Sequence, residues 1–252
     1  MKQASTSSER LFYLICGVVL VVAGIWSSVG GVLHPLTGDP SLGAGGSIDY
    51  WLNFAAITAG FAQWEGVHVS IMAGRVLMAL GSVGLFWLLR ERGEVQFSSL
   101  AVLAMGIGAT LWAVAFIFDG YVSLAQAQAV MRETDEAHRA GAIAGLRGAE
   151  TVLNRSGLVG ITIFGLGQAA LGVSILAVGL WPGGALERPI RLILGILGVV
   201  LGLFPAVGWL TGLLTPSPFN SALWRPFGGL VVAWFIAAGI TLLLRAWRGA
   251  QL

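Results

Sequence analysis

An all-α fold, a polytopic membrane helix bundle of six transmembrane helices with a short interfacial helix and an extended outer hairpin, is what this sequence predicts. Three observations lead there. Of its 252 residues 56% are hydrophobic and only 10% charged, with a mean hydropathy of +0.84, whereas about a quarter of a soluble domain is charged. Several windows of roughly 20 residues carry no charge, each long enough to cross a hydrocarbon layer of about 30 Å as a helix. No alternating period marks a β-barrel. The chain reads as one membrane domain, 1–252.

The polar stretch Met1 to Arg10 places Lys2 and Arg10 ahead of the first span, 11–33. This copies the layout of a signal peptide, but the apolar run is longer than a typical h-region, and Ser27-Ser28-Val29-Gly30-Gly31 offers no clear small-x-small cleavage site. Ile15 before Cys16 stands where a lipoprotein signal needs a small residue. His34-Pro35 ends the span, and Gly38-Asp39-Pro40 with Gly43-Ala44-Gly45-Gly46 gives a turn-rich connection. Ser47 as N-cap and Asp49 in the first turn open a helix over 48–64. It carries Trp51, Phe54, Phe61 and Trp64, residues favoured at the membrane interface. Its length falls short of a crossing and Gly66 separates it from the second span, so it is read as interfacial.

The second span, 67–89, closes at Arg90-Glu91-Arg92-Gly93-Glu94, and the third, 98–118, ends at Asp119-Gly120. Residues 119–155 are too polar to span. There Arg132 with Glu136 and Asp135 with Arg139 have the i, i+4 spacing that supports a helix. This outer hairpin extends spans three and four beyond the bilayer as a solvated face, a lid over a site, or a dock for a partner. The fourth span, 156–181, holds Gln168, the fifth, 190–214, holds Pro205, and the sixth is 227–247. Pairs such as Gly141 with Gly145 and Gly198 with Gly202, among 37 glycines, predict close helix packing.

With the N-terminus inside, the inner rim holds Lys2, Arg10, Arg90, Arg92, Arg188, Arg191, Arg245 and Arg248. Outside lie Arg132, Arg139, Arg147, Arg155 and Arg225, mostly in the hairpin beside acids. The positive-inside bias thus places the protein in the inner (plasma) membrane with both termini cytoplasmic. A net charge of +2 with scattered basic residues excludes a nucleic-acid stripe. One cysteine excludes an intramolecular disulfide and a cysteine metal site. Lys2, the only lysine, leaves no buried amine for a Schiff base, which excludes a retinal protein.

The richest polar stretch runs from Gln63 to Arg75, where Glu65, His68, Met72 and Arg75 fall at spacings of three, four and three on one helical face. A charge at the bilayer centre costs roughly 2.5 to 3.5 kcal/mol, so it points to a site or a dedicated partner. Orientation puts Glu65, His68, Arg75 and Asp119 near the outer side as a ligand-binding set. Arg75 would hold an anionic group and Glu65 or His68 would move a proton; the plainer alternative is that Arg75 snorkels or pairs with Asp119. Glu65-x-x-His68 is also a metal-ligand spacing, and His34, Asp119 and His138 are the residues that would complete a divalent-metal shell. His34 with His68 allows two-histidine haem ligation. Three functions are compatible with these residues: binding or passage of a small or lipid-like ligand past Gln168 and Pro205, a metal-dependent, hydrolase-like membrane enzyme, or a scaffold packing its glycine-rich faces against membrane protein partners.

Leu33-His34-Pro35 at the end of the first span, a short aromatic helix, Trp64-x-x-x-His68 opening the second span and a polar insertion before the fourth together resemble bacterial six-helix membrane proteins classed as domains of unknown function. The resemblance covers most of the chain and implies the six-helix fold; it carries no reaction with it.

Overall fold

The structure is a computed structural model that describes residues 7–35, 47–180, 187–210 and 224–248. Lys2, the connection from Gly38 to Gly46, Trp181 and the side chain of Arg225 lie outside the described residues. All regular structure among them is helical: α1 (Ser7–Leu33), α2 (Ile48–Gly60), α3 (Trp64–Arg90), α4 (Gln96–Ile117), a π-helical turn (Phe118–Ser123), α5 (Leu124–Arg132), α6 (Glu136–Val178), α7 (Glu187–Leu210) and α8 (Trp224–Arg248). Six helices, with α4 running on through the π turn to Arg132, are long and apolar enough to cross a membrane. The chain is an integral membrane protein by this architecture.

Residue spacing sets which face each helix buries. On α1, Tyr13, Cys16, Leu20, Ala23 and Ser27 are buried at alternating steps of three and four. Leu11, Ile15, Val18, Val22, Ile25 and Val29 repeat the same steps on the exposed side. Ile193, Ile196, Val200, Leu203 and Val207 make a matching exposed stripe on α7. Continuous apolar stripes of this length suit hydrocarbon and would be aggregation sites in water.

The spans close into a ring. α1 packs between α8 and α3, α3 meets α4, α4 meets α6, α6 meets α7, and α7 returns to α8, while α3 also reaches α6 and α8 across the middle. Two seams bring backbones together. A Cβ on Gly108 of α4 would stand 2.4 Å from the Phe164 nitrogen of α6, and one on Gly202 of α7 would stand 2.4 Å from the Gly165 carbonyl oxygen. Gly141, in contrast, has open space where its Cβ would be.

One end of the ring is tied by Glu91, which accepts a hydrogen bond from the Tyr13 hydroxyl at 2.5 Å and pairs with Arg245 at 3.4 Å. The start of α1, the end of α8 and the α3–α4 turn therefore share that end. Gly93 takes φ 87° to make the turn. Glu94 then caps α4, accepting from the Phe97 amide at 2.8 Å and the Ser98 amide at 3.0 Å.

At the opposite end the helices outrun the bilayer. α6 has 43 residues, about 65 Å at 1.5 Å per residue and twice the hydrocarbon thickness. Its overhang, with α5, receives α2: Tyr50, Trp51, Phe54 and Trp64 join Ala127, Val130, Ile143 and Leu146 in a second core. Aromatic residues expected to face the membrane interface thus fill a protein interior. Trp64 already begins α3, so Gly66 lies inside that helix and does not break it. The helical run also stops at Arg132 and restarts at Glu136, so the i, i+4 pairs foreseen there straddle a turn. Asp135 instead caps α6 by accepting from the His138 amide at 2.9 Å, and Arg139 donates to the Glu133 carbonyl at 2.8 and 3.0 Å.

These contacts have two measurable consequences. Gly108→Leu should destabilise the bundle by about 1–3 kcal/mol or more through backbone overpacking. Gly106→Leu on the same helix, where no atom lies within 4 Å of the added Cβ, should be close to neutral; thermal denaturation in detergent separates the pair. For Glu94, burial pushes the carboxyl up, but hydrogen bonds from Ser174, Phe97 and Ser98 outweigh it and hold the group below its usual range. Its stabilisation is then complete above the unfolded value of about 4.3 and is lost as pH falls through the lower folded value. Glu94→Ala should cost about 0.5–2 kcal/mol near neutral pH, with the gap to the unmodified protein closing in acid.

Candidate functional site

Where α1 ends, α3 begins and α4 widens into its π turn, three elements deliver one polar side chain each. His34 directly follows α1, His68 is in the second turn of α3, and Asp119 is the second residue of the π turn. The π turn re-aims α4 locally, a use such turns often have at functional sites. Two contacts hold it. The Trp64 indole donates to the Asp119 carbonyl at 2.8 Å, and Gly120 lies so close to α3 that an added Cβ would be 3.2 Å from the His68 Cβ.

The side chains meet at short range. His68 Nε2 is 2.9 Å from Asp119 Oδ2 and 3.0 Å from His34 Nε2. The candidate ligand atoms of all three residues lie within 4.8 Å of one another. His68 is 0% exposed and Asp119 4%, while His34 is half-buried and forms the accessible side. The rings of Trp64, at a centroid distance of 4.5 Å, and Phe116, at 5.8 Å, fix the plane of the His68 imidazole.

The far sides of the two imidazoles decide the chemistry. His68 Nδ1 is 2.5 Å from the Trp64 carbonyl oxygen, and His34 Nδ1 is 2.8 Å from that of Pro35. A carbonyl oxygen only accepts, so each Nδ1 carries its hydrogen and donates it. In neutral rings both Nε2 atoms are then bare lone pairs, and they face each other and a carboxylate oxygen. Three acceptors at this range repel unless a cation joins them: a proton shared among them, or a metal ion. Histidine ligands of metals characteristically give their other N–H to a carbonyl in this way. A tetrahedral site with bonds of ~2.0–2.1 Å separates its ligand atoms by about 3.3 Å, so a metal would spread the two contacts of His68 by a few tenths of an ångström, with His34 and Asp119, within 4.8 Å of each other, closing on it.

A further acid stands behind the site. Glu150 of α6 is buried, accepts from the Ser123 hydroxyl at 2.8 Å, and is close enough to Asp119 for the two carboxylates to act on each other. The residues singled out in the sequence divide. His34, His68 and Asp119 converge, whereas Glu65 is exposed near the Tyr121 hydroxyl. His138 is exposed at the start of α6, 3.3 Å from Asp135. Arg75 is deeper in the ring, over the Trp112 and Phe164 rings at 5.4 and 5.7 Å, and among the described residues no ion pair joins it to Asp119. The imidazoles of His34 and His68 meet edge to face with centroids 4.8 Å apart, which leaves no slot for a porphyrin between them.

No family model, curated protein or solved structure matches the chain. Of the likeness to six-helix membrane proteins, the structure shows the six helices of spanning length and apolarity.

Sequence reasoning passed over Trp64 as a hydrogen-bonding residue, Ser123 and Glu150. For Glu150 a signal existed: Ile143, Leu146, Glu150, Leu153 and Gly157 step by three and four along one buried face, so an acid interrupts an apolar seam. For Ser123 and the π turn no comparable pattern is present. With metal removed by chelation, nitrogen NMR of labelled imidazoles should show hydrogen on Nδ1 of both His34 and His68; a sole Nε2–H form of His68 would contradict the assignment.

Proposed function

We propose that this integral membrane protein binds a divalent metal ion through His34 Nε2, His68 Nε2 and Asp119 Oδ2, and uses it for Lewis-acid chemistry of the hydrolytic class on a small or lipid-like substrate. The observation that supports this reading is the commitment of both Nδ1 hydrogens to backbone carbonyls, which turns two lone pairs and a carboxylate oxygen to one point. Two imidazoles and one carboxylate suit zinc and its first-row neighbours. Among the described residues three ligands converge, the number that a catalytic zinc takes from its protein, whereas a structural zinc is normally closed by four. When bound, such an ion polarises a carbonyl or phosphoryl oxygen and acidifies a water molecule. The chain's own residues divide the remaining work. Trp64 and Pro35 orient the imidazoles, Trp64 also holds the π turn, and Glu150 is the second acid within electrostatic reach of Asp119. Glu65, exposed one helical turn before His68, meets the substrate at the rim. The Lys and Arg bias of the sequence supports an orientation with this site on the outer side of the inner membrane and both termini cytoplasmic.

Equilibrium dialysis of the full chain in mild detergent tests the reading. After chelation it should take up about one equivalent of zinc, and His68→Ala and Asp119→Ala should each weaken uptake by at least about 100-fold, since loss of mere outer partners already costs 10–100-fold. Uptake unchanged in both variants would overturn it.

A further inference from the structure

The ring has a second polar centre, which the metal site does not use. Arg75 is 7% exposed and its Nε is buried without a hydrogen-bond partner. One terminal nitrogen reaches only the Met78 sulfur, at 3.8 Å, which is a weak acceptor. Aromatic faces at 5.4 and 5.7 Å supply the rest of its surroundings, and no carboxylate among the described residues forms an ion pair with it. Gln168 of α6 is 1% exposed, and its Nε2 is likewise buried with no partner. Both side chains line one small cavity with room for about one water-sized guest, whose other walls include Phe164, Leu201, Pro205 and Phe227.

Two orphaned N–H groups on a cation and an amide face a space walled by carbon. A guest that completes them needs lone pairs, and beside a buried guanidinium negative charge is favoured. Pro205 is inside α7, where its ring replaces a backbone N–H and removes the helical hydrogen bond to the Leu201 carbonyl. The small volume selects for size. A burial this deep makes an unmatched guanidinium costly, and an anion at its side removes most of that cost.

We propose that Arg75 and Gln168 are the donors of a buried site for a small monovalent anion of the halide class, enclosed by α3, α6, α7 and α8. It is separate from the metal site: the rings of Phe116 and Trp112 stand between His68 and Arg75 in a chain of contacts of 5.8, 5.3 and 5.4 Å.

Thermal denaturation of the full chain in detergent, at constant ionic strength with bromide replacing gluconate, reads the site directly. Bromide should raise the midpoint saturably, by about 5 °C at high occupancy. Gln168→Leu should lose most of that rise, and Arg75→Met all of it; if Arg75→Met does not fold, Gln168→Leu alone carries the comparison. Bromine anomalous scattering should peak beside Arg75. Equal bromide responses in the unmodified protein and Gln168→Leu, or a rise produced by a fatty-acid carboxylate and not by bromide, would overturn the proposal. The metal-ligand variants His68→Ala and Asp119→Ala should keep the bromide response, so failure of one site is distinguishable from failure of the other.

Discussion

The carbonyl oxygens of Trp64 and Pro35 each take the Nδ1 hydrogen of an imidazole, and because a carbonyl has no hydrogen to return, His68 turns a bare nitrogen toward Asp119 and His34 turns one toward His68. An isolated backbone hydrogen bond contributes only about 0.5–1.5 kcal/mol to stability, but here it fixes a tautomer, and the tautomer fixes what the site can hold. Bare acceptors in a dry interior repel one another more strongly than in water, so a shared proton or a metal ion becomes part of the folded structure.

Trp64 connects this centre to the rest of the molecule. Its carbonyl orients His68, its indole hydrogen goes to the Asp119 carbonyl, its ring lies against the imidazole, and its outer edge belongs to the core that α2 makes with the hairpin. The overhanging end of the bundle is thus a clamp on the site as well as a polar cap. At the Glu91 end, by contrast, a tyrosine, an arginine and a helix cap close the ring.

The spans were legible because lipid-facing and inward faces both repeat at three and four, as on α1, and because the uncharged runs are long enough to cross. His34, His68 and Asp119 were legible as residue types in apolar surroundings. The π turn was not. Asp119-Gly120 has the composition of a helix stop, and only tertiary contacts, Gly120 against His68 and the Trp64 indole on the Asp119 carbonyl, carry the helix through it. Helical spacing also placed Arg75 on the same face as His68, yet seven residues are about 10 Å along the axis, and two aromatic rings fill that distance. Glu65 has the right spacing to His68 but is exposed, turned away from the converging side chains. Spacing gives direction around a helix; it does not give depth or what the neighbouring helix brings.

X-ray absorption at the zinc edge, on protein loaded with one equivalent and freed of excess, tests the central claim most directly. The account predicts a first shell of nitrogen and oxygen only, with the multiple-scattering pattern of two imidazoles, reduced to one in His34→Ala. Zinc that washes away, or a spectrum of the hydrated ion that His34→Ala and His68→Ala leave unchanged, would contradict it.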